Sequence, residues 1–221
     1  MIIFVPIKKL SQRVPNKNFR EFSKYPLYKH VLIKLASYRV FVDTDCEELI
    51  ESIKSDTDLA HVTPFLRKNH LIGHQVSVCE LIHNFLKEFN IKNEIICQVH
   101  VTSPFITEET IKKALELIKG ENFDSVVSCN KYQNRLWRKE SYGYCPINHN
   151  PMVLEQTQDL PVYYEENSLF YMFKSNYFLT NKNRIGVKPY FYEIKYPENL
   201  DIDTEDDWKI AKQIYSSMRK N

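Results

Sequence analysis

Between Pro6 and Arg20 the chain gathers Lys8, Lys9, Ser11, Gln12, Arg13, Asn16, Lys17, Asn18 and Arg20, directly after the apolar run Ile2 to Val5. Cationic and amide groups at the carboxyl end of a buried strand stand where open α/β sheets bind ligands, and donors of this kind suit phosphate oxygens. Pro6 and Pro15 fix φ and stiffen the segment. Far along the chain, Asn199-Leu200-Asp201-Ile202-Asp203-Thr204 sets two carboxylates at i and i+2 of an extended stretch, hence on one side of it. Magnesium takes one or two carboxylates and fills its octahedron with water and phosphate oxygens. The cationic loop and the Asp pair together therefore read as a nucleoside triphosphate site with Asp201 and Asp203 as metal ligands. Thr204 with Asp207 has the spacing of a helix N-cap. That accounts for Asp206 and Asp207 as first-turn acids and leaves Asp201 and Asp203 without such a structural role.

The elements that must position these groups follow from periodicity. Apolar runs at 2–6, 39–43, 60–63, 94–99 and 124–129 alternate with helical patterns at 27–37, 46–54, 76–89 and 107–119. Such alternation predicts a Rossmann-like α/β fold, a mostly parallel sheet with helices on both faces. Thr107 with Glu108 and Glu109 opens one helix and Gly120 closes it. From 131 to 166 the helical period dissolves into Lys, Asn, Tyr, Pro and Trp, and strands resume at 168–173 and 188–196. The expected organisation is a nucleotide-binding α/β domain over 1–130, a small β-rich insertion over 131–166, and a completion of the α/β domain over 167–221 that carries Asp-Ile-Asp. Trp137, Tyr142, Tyr144, Tyr163 and Tyr164 give the insertion the large amphipathic side chains that interfaces favour. The alternative is a hairpin tucked over the protein's own core.

Bulk composition narrows the partners. In 221 residues, 30 Lys and Arg face 28 Asp and Glu, a net charge of +2, so the basic loop is a local feature and not part of a nucleic-acid-binding field. The expected partner is a small anion. No apolar run approaches the length of a membrane span, and Lys8, Lys9 and Arg13 follow the first apolar segment where a signal peptide has its charges ahead. A soluble, cytoplasmic protein is expected. Cys46, Cys79, Cys97, Cys129 and Cys145 are odd in number and form no C-x-x-C pair, so neither a disulfide framework nor a zinc knuckle is suggested.

Pro6, Ser11, Arg13, Pro15, Lys17 and Asn18 with Asp201-Ile202-Asp203 resemble the acylneuraminate cytidylyltransferases, the CMP-sialic acid and CMP-nonulosonate synthetases. The similarity continues in order through Asp43-Thr44-Asp45, Arg67, Thr102-Ser103-Pro104-Phe105, Val126-Val127-Ser128 and Asn167. The resemblance implies a magnesium-dependent enzyme that joins CTP to an anionic sugar acid and releases pyrophosphate. It implies that Lys8, Ser11, Gln12, Arg13, Lys17, Asn18 and Arg67 contact the nucleotide, and that Arg13, Lys17, Asp201 and Asp203 carry the chemistry. It also implies a homodimer in which the insertion helps to complete the partner's site. On the acceptor side the candidates are His100, at a strand's carboxyl end; Arg135 and Arg138, whose guanidinium matches a carboxylate bidentately; Gln158; and Asn167.

The departures from that pattern carry information. Where the family loop reads Ala-Arg-Gly-Gly-Ser-Lys-Arg, this chain has Ile7-Lys8-Lys9-Leu10-Ser11-Gln12-Arg13. Lys8 thus replaces a bidentate fork with a point charge. Gln12 supplies no charge where a lysine is usual, and Leu10 gives up the conformational freedom of glycine. His100 stands for a usual Gln, Thr157 for a usual arginine, and Ser168 for the Gly of an Asn-Gly turn; the first two make N-acetylneuraminate itself a doubtful acceptor. Two other readings remain open. Asp43-Thr44-Asp45 is also the D-x-D of a GT-A glycosyltransferase, although Asp45 could instead cap the helix at 46. Gln12 is compatible with a non-catalytic nucleotide-binding homologue, against which the retained pair of mutually repelling carboxylates speaks.

Overall fold

The strand β1 (Ile2–Ile7) is buried at every position except the partly exposed Pro6, so it must lie inside a sheet covered on both faces. A computed structural model, which describes residues 1–11, 13–73 and 75–218, places it there. The chain continues through β2 (Glu21–Phe22), β3 (Tyr25–Pro26), α1 (Leu27–Leu32), β4 (Arg39–Thr44), α2 (Glu47–Ser55), β5 (Val62–Leu66), α3 (Val78–Glu88), β6 (Ile95–Val99) and α4 (Glu108–Lys119). It then forms β7 (Ser125–Tyr132), β8 (Trp137–Glu140), β9 (Gly143–Pro146), β10 (Tyr163–Lys174), α5 (Ser175–Asn181), β11 (Pro189–Glu193) and α6 (Glu205–Met218). A seven-stranded sheet has the order β11-β7-β10-β6-β1-β4-β5. Its pairs are parallel except where β10 runs antiparallel between β6 and β7. This is the expected Rossmann-like architecture. Because β1, β4 and β6 are parallel, Ile7, Thr44 and Val99 end at one edge of the sheet, and the loops that follow them meet there.

Two apolar layers hold the sheet. On one side Val5, Val42, Cys97, Val99, Ile106, Ile111, Ala114 and Met172 share a core; on the other Phe4, Phe41, Phe65 and Phe85 pack with Leu81, Ile82 and Leu86. Phe4 and Phe85 stack with ring centroids 4.8 Å apart. The helices that cover these layers start where local chemistry allows. Ser77 and Glu80 form a capping box on α3. Thr107 caps α4, Glu108 and Glu109 fill its first turn, and Gly120 ends it.

The boundaries shift in places. The strand expected over 60–63 is Val62–Leu66, and the helix expected over 27–37 is α-helical only to Leu32, then tightens to a 3₁₀ turn over Ile33–Leu35. Between β7 and β10 the chain leaves the sheet as an arm built on the β8–β9 hairpin. Its base is the continued pairing of Tyr163, Tyr164 and Glu165 with Tyr132, Lys131 and Asn130, so β7 runs past residue 131, where the insertion was expected to begin, and β10 starts at Tyr163, before residue 166, where it was expected to end; the register shifts between Glu166 and Tyr171. Trp137, Tyr142, Tyr144, Met152 and Leu154 on this arm are exposed. No helix among the described residues is long and apolar enough to cross a membrane.

Candidate active site

The loop after β1 folds back over the edge of the sheet on three local bonds. Lys17, Phe19 and Arg20 donate backbone hydrogen bonds to Val14 and Asn16 carbonyls, and Asn16 takes the left-handed conformation (φ 53°) that asparagine tolerates. Val14 and Phe22 anchor the loop in an apolar cluster with Leu27, Phe105, Ile202, Trp208 and Ala211. The same cluster fixes the acidic motif. Ile202 is fully buried, and its backbone N–H donates to the Thr102 carbonyl at 2.9 Å. Its neighbours Asp201 and Asp203 therefore project together toward the loops, as the i, i+2 spacing requires.

The two ends of the chain meet at Lys17. Its ammonium is buried, donates to the Ile202 carbonyl at 2.6 Å and lies 3.1 Å from Asp203 Oδ1. The exposed Arg13 guanidinium reaches the same oxygen at 2.8 Å. Asp201 accepts from Ser103 Oγ at 3.2 Å. Burial pushes the Asp201 carboxyl above its ordinary range, and the Asp203 charge adds to this; hydrogen bonds from Thr102 and Ser103 and the charge of Lys17 offset only part. Beside this cluster opens a cavity of about 320 Å³, lined by Lys8, Ser11, Arg13, Lys17, Asn18, His100 and Thr102, with Val76, Val78 and Leu81 from the α3 side. Asn18 Nδ2 donates to the Lys8 carbonyl at 3.0 Å, while its Oδ1 is buried with no partner among the described residues. Lys8 Nζ reaches the Gly73 carbonyl at 3.3 Å.

Two carboxylates with hard oxygens, one of them disfavoured as an anion by burial and by its neighbour, fit a divalent cation that lacks a full protein cage. Among the described residues no set of three or more His, Cys, Asp or Glu forms such a cage. Thr204 and Asp207 cap α6 reciprocally: Asp207 N–H donates to Thr204 Oγ1 at 3.2 Å and Thr204 N–H to Asp207 Oδ2 at 2.7 Å. Asp207 is thus engaged in the helix start, and Asp201 and Asp203 are left for the site.

Several expected residues lie elsewhere. Arg67 is 1% exposed and its guanidinium is held by Asp43, itself 0% exposed, so it lines no part of the cavity. That pair also removes Asp43 from any D-x-D metal site. Asp45 does not cap α2; its Oδ1 accepts from Lys9 N–H at 2.6 Å and ties the loop after β1 to the end of β4. Arg135, Arg138 and Gln158 belong to the arm, where they bond to the Glu155 carbonyl, Glu140 and Gln156. Asn167 bridges Asn130 Oδ1 at 3.2 Å and accepts from Leu169 N–H at 3.3 Å, supporting the irregularity of β10. His100 does line the cavity, with its pKa lowered to about 4, chiefly by burial. Gln12 lies outside the described residues. The sequence reading missed Thr102 and Ser103 as site residues, although their place after β6 at the ligand-binding edge was the available signal. No motif marks Gln98 or Arg184, which the fold brings to His100.

Similarity to known proteins identifies the family and the fold. A family model described as cytidylyltransferase matches residues 2–220. The chain is 29% identical to an N-acylneuraminate cytidylyltransferase A of Danio rerio, an alignment that covers 92% of this chain and 48% of that one. It is 27% identical to a CMP-N,N'-diacetyllegionaminic acid synthase of Legionella pneumophila (97% and 95% covered) and 24% identical to a pseudaminic acid cytidylyltransferase of Campylobacter jejuni (97% and 95%). It therefore spans about half the length of the vertebrate relative and nearly all of the two bacterial ones. Among solved structures, a CMP:2-keto-3-deoxy-manno-octonic acid synthetase complexed with CTP superposes with a TM-score of 0.69 at 13% identity, covering 98% of both chains. A 4-diphosphocytidyl-2C-methyl-D-erythritol synthase of Anaerococcus prevotii gives 0.69 at 13% identity over 97% and 96%. At such identities the likeness speaks for the fold.

Proposed function

Because the chain belongs to the cytidylyltransferase family, we propose that it transfers the cytidylyl group of CTP to an acidic sugar of the nonulosonate kind and releases pyrophosphate. The observation that carries this reading is Lys17, which joins the cationic loop to Asp203 at the rim of the cavity. In the reaction an acceptor oxygen attacks the α-phosphorus and a new O–P bond forms. The bond from that phosphorus to the bridging oxygen breaks, pyrophosphate leaves with the electron pair, and the acceptor hydroxyl loses its proton. Charge builds on phosphate oxygens, so positioned cations supply most of the catalysis.

Lys8, Ser11, Arg13 and Lys17, which line the cavity, would receive the triphosphate, and Asn18 Oδ1 would accept a hydrogen bond from the nucleotide. Asp201 and Asp203 would hold magnesium, which supplies Lewis-acid neutralisation of the phosphates. Arg13 and Lys17, which now hold Asp203, would turn to phosphate oxygens when the triphosphate binds and Asp203 is engaged by the metal. Thr102 and Ser103 keep Asp201 oriented. The exposed aromatic residues of the arm support a homodimer, and consumption of CTP supports a cytoplasmic setting. The rival D-x-D glycosyltransferase reading has no comparable support, since Asp43 is buried against Arg67.

Pyrophosphate release measured with magnesium, each of the four nucleoside triphosphates and a panel of α-keto sugar acids is expected to occur with CTP and an acid of this class only. Asp203→Ala should abolish it while the melting temperature stays near that of the native protein. Turnover that survives this substitution would remove Asp203 from the metal site, and absence of CTP binding by the native protein would overturn the reading as a whole.

A further inference from the structure

Gln98 is a fully buried amide on β6, and a buried amide is tolerated when both of its ends are bonded. Its Oε1 accepts from an Arg184 guanidinium nitrogen at 2.6 Å, and its Nε2 meets Nε2 of His100. Arg184 lies on the segment after α5, with its guanidinium carbon 3.5 Å from the centroid of the Tyr171 ring. Tyr171 is itself held by a hydrogen bond from its hydroxyl to Glu166 at 2.7 Å. Two strands and a loop thus fix a row of three polar groups that ends at the cavity.

The direction of each bond in that row follows from its first member. A guanidinium only donates, so the carbonyl end of Gln98 faces Arg184 and the amide NH₂ faces His100. His100 Nε2 must then accept, and the proton of the neutral ring sits on Nδ1. Among the described residues Nδ1 is neither hydrogen-bonded nor enclosed, and the ring lines the cavity beside Lys17 and Thr102.

We propose that Arg184 is a positioning residue which, through Gln98, fixes His100 as the Nδ1–H tautomer and so makes it a hydrogen-bond donor to an accepting oxygen of the sugar acid. The inference about the acceptor rests on the cytidylyl-transfer reading; the tautomer does not. The charges that face His100 are Arg184 from the segment after α5, Lys17 from the loop after β1 and Asp203 ahead of α6. Burial first, then Arg184 and Lys17, lower the pKa of the ring to about 4, with Asp203 opposing. Protonation would also set Nε2–H against the Gln98 amide. The site therefore presents a hydrogen-bond donor to an accepting oxygen at this point of the acceptor.

The test uses the whole protein labelled with ¹⁵N-histidine and long-range ¹H–¹⁵N correlation, with the His100 signals assigned by their loss in His100→Asn. The native ring is expected to read as the neutral Nδ1–H tautomer through the neutral pH range. Arg184→Met should give mixed tautomers and a pKa moved back toward the ordinary histidine value. Arg184→Lys keeps an obligate donor and should restore Nδ1–H. In parallel, Arg184→Met should lower kcat/KM for the acceptor about tenfold, the order expected for one lost hydrogen bond, with the KM for CTP unchanged. If Arg184→Met does not fold, Gln98→Met cuts the same row at its next link and is read by the tautomer and the acceptor kcat/KM alone, since the Arg184 charge stays in place. An Nε2–H tautomer in the native protein, or one that both substitutions leave unchanged, overturns the proposal. The expected tautomer pattern in a protein that turns over no acid would uphold the relay and count against the transfer reading instead.

Discussion

Arg67 and Lys17 show how two cations of similar promise in the sequence come to differ. Arg67 sits with Asp43 at the ends of β5 and β4, both sealed from water, and Asp43 Oδ2 has no hydrogen-bond partner among the described residues. Burial, with smaller help from the charges of Asp45 and Glu88, drives the Asp43 carboxyl above its ordinary pKa, against the pull of Arg67. Removing one member of such a pair leaves an uncompensated buried charge, which costs about 3–5 kcal/mol. Arg67→Ala should therefore lower the urea midpoint by that order while the folded fraction binds CTP with native affinity. A raised KM for CTP without loss of stability would return Arg67 to the nucleotide. Lys17 is buried as well, yet it faces a carboxylate that is one-third exposed at the cavity rim and so remains exchangeable. The same residue type serves structure or function according to what lies on its open side.

At the scale of elements, the start of α6 decides where the acidic motif ends. Burial works against the Asp207 charge, but hydrogen bonds from the Thr204 hydroxyl and from the Asp203 and Thr204 backbone outweigh it, and its pKa is lowered. A carboxylate whose folded pKa is depressed contributes stability above its ordinary value of 3.8, and that contribution disappears as pH falls through the folded value. Asp207→Ala should cost about 1 kcal/mol at pH 7, the usual worth of a cap. The gap from the native protein, followed by urea denaturation, should narrow as pH falls below the ordinary carboxylate value and close once Asp207 is protonated in the folded state, a gap undiminished in acid being evidence against the charge-based account. In β10, Ser168 is held at φ 59° in the irregular stretch between Glu166 and Tyr171. A non-glycine residue in the left-handed region is disfavoured by about 1 kcal/mol. Ser168→Gly should raise the melting temperature accordingly, and a drop would mean that the 3.4 Å approach of its hydroxyl to Tyr171 matters more than the backbone.

For the whole molecule, the arm is the feature that the monomer does not account for. Tyr142 is 79%, Tyr144 68% and Leu154 92% exposed on one projection anchored by the continued β7–β10 pairing. Large apolar side chains gathered outside a core mark an interaction surface. In the proposed homodimer, Tyr144→Lys with Leu154→Asp should give a monomer by light scattering. It should also raise the KM for the acceptor more than that for CTP, since the nucleotide loop belongs to the same chain. A native protein that is already monomeric would sink this reading and leave the arm to another partner. In that homodimer the arm would carry Arg135, Arg138 and Gln158, which stand away from their own cavity, toward the partner's.

The sequence by itself determined what short-range chemistry and period determine. The buried strand β1, the helix starts at Thr107 and Thr204, the sheet class, and the pairing of a cationic loop with Asp201 and Asp203 were all legible, because each is written in neighbouring residues or in an alternation of apolar positions. Tertiary structure alone decided which charged groups stay open. Asp43 and Arg67 meet because β4 and β5 are adjacent parallel strands with Thr44 opposite Leu66. Gln98, Tyr171 and Arg184 meet because β10 runs antiparallel beside β6 and α5 returns the chain toward it. Such encounters depend on strand order and on what burial leaves unpaired, and neither is carried by the spacing of residues along the chain.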